Sequence, residues 1–269
     1  PPRSTLFPYT TLFRSPFEQV KVIHDWIANN IRYNFEGYKK GDLGDNSWAG
    51  VLRSGISVCA GYANLFDHMC KRAGIESKVI SGYSRGYGHD PFEVPGRESN
   101  HAWNAVRILG RWYLLDVTWD SGYINYFGQS VKAYSSNYLF TDPLAFLYSH
   151  FPETSSDQLL STPMSWEGFL KLPNLRRPYF DLGLSFESEL PASVVKAIGE
   201  YRLDITFPPE LLLSASVFEK GGKAVEQGSF VQRTANKATL LVKLPKPGRY
   251  EAVLFAKMPG VKPERYEAL

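Results

Sequence analysis

The sequence has little of what builds metal sites and disulfide frameworks: among 269 residues there are two cysteines, three methionines and five histidines. Cys59 and Cys70 belong to no C-x-x-C pattern, which argues against a zinc ribbon and against a disulfide scaffold. If both lie on one helix, a rise of about 1.5 Å per residue sets them about 16 Å apart, beyond the ~7 Å that a disulfide allows between Cα atoms. Charge of one sign is also scarce. Thirty Lys and Arg against 27 Asp and Glu leave a net charge of +3, and the densest basic pairs, Lys39-Lys40, Lys71-Arg72 and Arg176-Arg177, are scattered rather than gathered into a nucleic-acid footprint. No apolar run approaches the ~20 residues of a membrane span, and no charged start with an apolar stretch behind it opens the chain. The expectation is a soluble, cytoplasmic protein with neither nucleic acid nor membrane as partner.

Calcium is not indicated, because Gly41-Asp42-Leu43-Gly44-Asp45-Asn46 lacks the ligand order of a calcium loop and reads as a turn. No histidine stands at metal spacing to another, so neither metal nor cofactor is expected. His24, His68, His89 and His150 read as structural or solvated.

What is present changes in texture along the chain. Residues 1–15, with Thr-Leu-Phe at Thr5 and again at Thr11, show no usable periodicity and are set apart as foreign to the fold. From Pro16, the spacing of Val20, Ile23, Ile27 and Ile31 predicts an amphipathic helix ending near Arg32. A second helix is expected from about Val58 to Ala73, with Ser57 as N-cap, Gly74 as stop and an apolar stripe of Cys59, Tyr62, Phe66, Met69 and Cys70. A strand follows near Lys78 to Gly82, then a Gly- and Pro-rich loop from Ser84 to Ser99. Asn100 to Ile108 and Arg111 to Thr118 form an expected hairpin around Leu109-Gly110.

The domain expectation is a catalytic domain over 16–150, a connection over 151–177 and a β-sandwich-like domain over 178–269. The last rests on short alternating runs at Tyr201 to Phe207, Leu211 to Phe218, Ala238 to Leu244 and Tyr250 to Ala256, punctuated by turn residues. Arg265-Tyr266-Glu267-Ala268-Leu269 alternates like a strand and then stops, so the sandwich is expected to be cut inside its final strand.

Cys59 falls in the first turn of its helix, where the helix N-terminus favours the thiolate. A two-residue turn at Leu109-Gly110 makes every hairpin pair sum to 219, so Trp103 would face Asp116 and His101 would face Thr118. His101 and Asp116 then become diagonal neighbours on one face, about 7–8 Å apart at the backbone, which one hydrogen bond can bridge. Asp116 sits in an apolar run, and a buried carboxylate needs such a partner. The alternative is that Asp116 ends its strand and His101 is a solvated loop residue; a three-residue turn would favour it by shifting the register.

The strings GISVCAGYANLF, NHAWNAV and WYLLDVTWD resemble, in that order, the Cys, His and Asp motifs of the transglutaminase-like superfamily, and IHDWIANNIRYN resembles the helix that opens its domain. NYLFTDPLAFLYSHFP and PKPGRYEAVLFAK are similar to segments of the kyphoscoliosis peptidase and hillarin group, with Asp157 where that group's Trp is expected before Gln-Leu-Leu. The resemblance covers roughly residues 16–269. It implies an α+β fold, a papain-like transglutaminase core followed by a β-sandwich-like domain, and a catalytic triad of Cys59 as nucleophile, His101 as base and Asp116 as its orienter. It also implies acyl transfer or amide hydrolysis on a protein or peptide substrate through a thioester, with the backbone N–H of Cys59 as an oxyanion donor. A catalytically silent scaffold with cytoskeletal partners is the competing expectation. Trp48 is a candidate second oxyanion donor or else a core residue, and Tyr83, Tyr87 and the Gly86-to-Gly96 loop are candidate edges of a substrate groove.

Overall fold

A computed structural model describes residues 15–125, 128–187, 190–260 and 267–268. The chain divides into two compact units, the first comprising residues up to Asp90 and Pro95–Phe169, the second Pro91–Val94 and Leu170–Leu269.

The first unit opens on helix α1 (Pro16–Asn30). Ser15 caps it: its hydroxyl accepts from the N–H of Glu18 while the Glu18 carboxylate reaches back to the Ser15 N–H, a reciprocal pair that satisfies two orphan donors. Ser15 therefore belongs to the fold, and of the segment set apart in the sequence only residues 1–14 lie outside the described residues. Val20, Ile23, Ile27 and Ala28 bury one stripe of the helix. The helix stops at Asn30, two residues before Arg32, because Ile31 turns extended and Arg32–Tyr33 pairs in parallel with Ile56–Ser57.

That pairing displaces the expected cap of the second helix, α2 (Cys59–Arg72), whose N-cap is Val58 with no side-chain cap bond. Ser57 instead gives its hydroxyl proton to Asn46. Gly61 makes the close approach possible, since a Cβ there would lie 2.0 Å from the Ser57 hydroxyl. Tyr62, Phe66, Met69 and Cys70 face the core beside α1, together with Val106, Ile108 and Leu115 from the sheet.

The sheet is antiparallel throughout. Its strands are β1 (Glu76–Ser84), β2 (His101–Ile108), β3 (Arg111–Leu115), β4 (Leu139–Thr141) and β5 (His150–Pro152), in spatial order β4-β3-β2-β1-β5. Leu109 and Gly110, at φ 50° and 82°, form the two-residue turn between β2 and β3, so Ile108 pairs with Arg111 as the sequence register requires. The ladder runs only as far as Asn104 with Leu115. The pairs expected beyond it do not form, because Asp116 leaves the strand to cap a one-turn helix, α3 (Val117–Asp120). On the other side, Gly82 lies between His101 and Pro152. A Cβ on it would stand 2.3 Å from the Phe151 carbonyl and 2.5 Å from the Trp103 ring, so only glycine lets β5 close onto β1 there.

Among its described residues, the regular structure of the second unit is strand apart from short helical turns at its start. One sheet has β6 (Ser185–Phe186), β7 (Glu200–Thr206), β9 (Ser229–Thr234) and β10 (Lys237–Lys243), in the order β6-β7-β10-β9; the other has β8 (Leu212–Glu219), β11 (Tyr250–Lys257) and β12 (Glu267–Ala268), in the order β8-β11-β12. Val217 from the second sheet packs with Leu240 and Val242 from the first, and the Ser229 hydroxyl donates to the Ala215 carbonyl across the layers. The sequence missed β9, whose exposed residues blur its alternation. Of the terminal run expected as a cut strand, Glu267 and Ala268 pair with Ala256 and Phe255; Arg265, Tyr266 and Leu269 lie outside the described residues. The fold class is α+β, helices and sheet followed by a two-sheet domain.

Candidate active site

Cys59 is the first residue of α2, so its side chain stands where the helix leaves backbone N–H groups unpaired. His101 begins β2, and the two elements are tied by Asn104, whose buried amide donates to the Ala63 carbonyl on α2 and to the Lys78 carbonyl on β1. The thiol and the imidazole are hydrogen-bonded to each other. Nε2 of His101 meets Oδ2 of Asp116 at 2.6 Å, which leaves Nδ1 for the sulfur. His101 and Asp116 thus meet, but not as the strand diagonal read from the sequence: the ladder ends before either residue, and Asp116 reaches the ring from the N-cap of α3.

Capping is what aims Asp116. Its Oδ1 accepts from the N–H groups of Thr118 at 2.8 Å and Trp119 at 3.2 Å, and its own N–H donates to the Tyr138 carbonyl. The other end of α3 is held as firmly. Asp120 accepts from Nε2 of His24, from the Ser135 hydroxyl and from the Tyr138 N–H, and Nδ1 of His24 lies 3.0 Å from Asp25. Burial opposes the charged form of His24, but its two carboxylate partners outweigh it and hold the ring above its ordinary value.

His150 is the residue that the sequence reading missed. It is fully buried on β5, and its Nε2 lies 3.1 Å from the same Oδ2 of Asp116 that receives His101. Its ring is stacked on Phe146 with centroids 4.1 Å apart and is flanked by Trp103 and Trp119. The only sequence signal is a histidine inside a short apolar run, and nothing local predicts that a three-residue strand returns beside β1, 34 residues after Asp116.

The electrostatics follow from this arrangement. Burial pushes the Cys59 thiol up, yet the hydrogen bond and positive charge of His101, with the Ala102 backbone, outweigh it and leave the thiol below its ordinary value. Burial would lower His101, but the charge and hydrogen bond of Asp116 raise it to about 10. Burial raises Asp116, and the two imidazoles more than reverse that, holding it well below the usual carboxylate range. His150 is pushed down to about 4, chiefly by burial, and stays neutral near pH 7. Cys70, wholly buried, is pushed well above an ordinary thiol.

His101, Asp116 and His150 also offer three ligand atoms within 4.8 Å of one another, the kind of group that holds a metal. Contacts of 2.6 and 3.1 Å place a proton between each ring and the carboxylate; zinc would need each ligand at about 2.0–2.2 Å and the ligands spread further apart. The arrangement is that of a hydrogen-bonded cluster, and no ligand role is assigned.

Other expectations fare differently. Trp48 is neither core nor near the sulfur: it is 43% exposed and stacks on His68, nine residues and about 13 Å along α2 from Cys59. Tyr83 is buried and bonded to His89, whereas Tyr87 is exposed and packs on Phe35. Trp103 and Trp119 flank His101, with centroids 6.0 and 5.8 Å away.

Residues 5–117 match the family described as the transglutaminase-like superfamily, and residues 166–268 match the KY-like, immunoglobulin-like domain. The chain is 30% identical over 245 residues to kyphoscoliosis peptidase of Mus musculus, covering 90% of this chain and 36% of that protein. For the Homo sapiens protein of the same name the identity is 30% over 243 residues, covering 89% and 36%. Hillarin of Drosophila melanogaster is 29% identical over 192 residues, 66% of this chain and 23% of hillarin. The chain spans about a third of the length of the first two relatives. No helix among the described residues is long and apolar enough to cross a membrane. By its motifs, its fold and these matches, the chain belongs to the transglutaminase-like superfamily, with a transglutaminase-like core followed by an immunoglobulin-like domain.

Proposed function

We propose that the chain performs cysteine-dependent acyl transfer or amide hydrolysis on a protein or peptide substrate. The observation that carries this reading is the hydrogen-bonded series Cys59, His101, Asp116, with the thiol at a helix N-terminus and Nε2 of His101 2.6 Å from Asp116. In this mechanism the Cys59 thiolate attacks the amide carbonyl carbon, and the carbonyl electrons move to oxygen beside the N–H groups at the start of α2. The C–N bond then breaks as His101 passes its proton to the departing amine, leaving a thioester on Cys59. An amine or water attacks the thioester, gives a proton to His101 and expels the thiolate. Asp116 keeps the ring turned and stabilises its positive charge throughout.

A second reading is a scaffold that binds protein partners, cytoskeletal ones among them, without turnover. The observation in its favour is that Cys59 and His101 are only 9% and 8% exposed. One experiment separates the two readings. The protein and its Cys59→Ala variant are incubated with a casein-type protein as acyl donor and a labelled primary amine as acceptor, and incorporation and peptide release are followed together. Incorporation marks amine transfer and release marks hydrolysis, each lost in the variant; neither product with the unmodified protein favours the scaffold.

A further inference from the structure

The carboxylate of Asp116 has four donors on two oxygens, and their distribution is uneven. Oδ1 takes the two backbone N–H groups of α3, which fix the direction of the carboxylate, and Oδ2 takes both imidazoles. An ionised carboxylate only accepts, so Nε2 of each ring carries a proton. Neutral His150 must then have a bare Nδ1, and the Ser149 hydroxyl, 2.8 Å from that nitrogen and 3.3 Å from the Phe146 carbonyl, is placed to give its one proton to the nearer of the two, the ring nitrogen. Ser149 thereby fixes His150 in the tautomer that donates to Asp116. The aromatic cage of Phe146, Trp103 and Trp119 leaves the ring no place to turn.

Oδ2 therefore divides its negative charge between a charged donor and a neutral one. We propose that His150 is a positioning residue whose Nε2–H shares Oδ2 of Asp116 with His101 and so limits how tightly the carboxylate holds the proton on His101. This rests on the reading of Cys59 and His101 as a thiolate and its proton donor. In that chemistry the proton on His101 must leave for the amine during acylation, and a carboxylate with a single imidazole partner would retain it more strongly. The other titratable groups near this centre are Tyr33 and Tyr62, both pushed above the usual phenol range by burial and therefore neutral here, and Tyr138, whose ring lies edge-on to that of His150 with centroids 5.6 Å apart.

The direction of the effect distinguishes this role from simple packing. The proton affinity of His101 is read by NMR of nitrogen-labelled histidine across pH, with and without His150→Phe, which keeps an aromatic ring in the cage and removes the donor. The expected result is about a tenfold higher proton affinity at His101, with His150→Gln, whose amide can reach the same oxygen, returning it toward the original value. A lower affinity, or an unchanged one, overturns the proposal, since a residue that only props the site would let His101 fall toward the ordinary histidine range when removed. If His150→Phe does not fold, Ser149→Ala keeps the ring and loosens its tautomer; a smaller upward displacement supports the proposal, and none overturns it. The same titration in Cys59→Ala protein isolates the imidazole and carboxylate cluster from the thiol. A positive result there, with an ordinary thiol at Cys59 in the unmodified protein, would sink the proposed function and leave this inference standing.

Discussion

Cys59 and Cys70 share one helix and have opposite chemistry, because one begins the helix against an imidazole and the other is sealed in the core. An ordinary thiol is only a few per cent ionised at pH 7, and His101 holds the Cys59 thiol below that ordinary value, so a larger share of it is the reactive thiolate. Iodoacetamide at neutral pH is expected to label Cys59 and leave Cys70 intact in the folded protein, as read by peptide mass mapping. His101→Ala should slow the labelling of Cys59 severalfold, toward the rate of an ordinary thiol. Equal labelling of the two cysteines, or indifference to the substitution, would contradict activation of Cys59 by His101. These three side chains were legible in the sequence because each sits beside a local feature: a helix start, a strand start and an apolar run ended by a carboxylate. His150 has no such marker, and its place is decided by the pairing of Ser84 with His150 between β1 and β5.

At the level of elements, the hairpin was legible and its far end was not. The turn at Leu109-Gly110 sets the register, and the period of two carries it forward through five pairs. What the alternation could not reveal is that Asp116 satisfies more donors as a cap than it could as a strand residue. The same competition moved the cap of α2 from Ser57 to Val58, since Ser57 is engaged in a parallel pairing with Tyr33. The turn itself carries a testable cost. Leu109 holds φ 50° with its side chain 83% exposed, so it bears left-handed strain without packing to offset it. Leu109→Asn gives the Asn-Gly pair that this turn type prefers, and it is expected to stabilise the first unit by about 0.5–1 kcal/mol. A urea midpoint that falls, with the slope of the transition unchanged, would refute that account.

For the whole molecule, the buried charges set a pH window. His101, held at about 10, keeps a proton that its unfolded counterpart gives up above about pH 6.5, and Cys59, held below its ordinary value, gives one up sooner than an unfolded thiol, so the two contributions oppose each other between about pH 6.5 and 8.5. Above that range the unfolded thiol releases its proton while His101, at about 10, keeps its own, and stability falls as pH rises. Below about 6.5 the unfolded histidines take up protons that the folded state refuses: His150, at about 4, stays neutral while its unfolded counterpart is charged. Stability should therefore fall between about pH 6.5 and 4, with roughly 2–4 kcal/mol of that loss due to His150. His24, held above its ordinary value, adds a loss of its own as pH rises above about 6.5, so the measurement is best made as a difference. The gap in melting temperature between the unmodified protein and His150→Phe should narrow steadily from pH 6.5 to 4.5. A constant gap would show that His150 does not titrate as described.

The order of strands in the sheet has a consequence for how the domain emerges from the ribosome. Cys59, His101 and Asp116 are all translated before either edge strand, Leu139–Thr141 or His150–Pro152, exists. Between Asp116 and Pro152 there are 152 − 116 = 36 residues, which at about 5–20 residues per second take about two to seven seconds to synthesise. Until those residues have been made, β1, β2 and β3 lack the strands that cover their two outer edges, and an open edge is a template for another strand. The last side chain to reach the Asp116 carboxylate, His150, lies on the strand that closes one of those edges, so the same three residues complete the bonding of that carboxylate and shield β1 from mispairing.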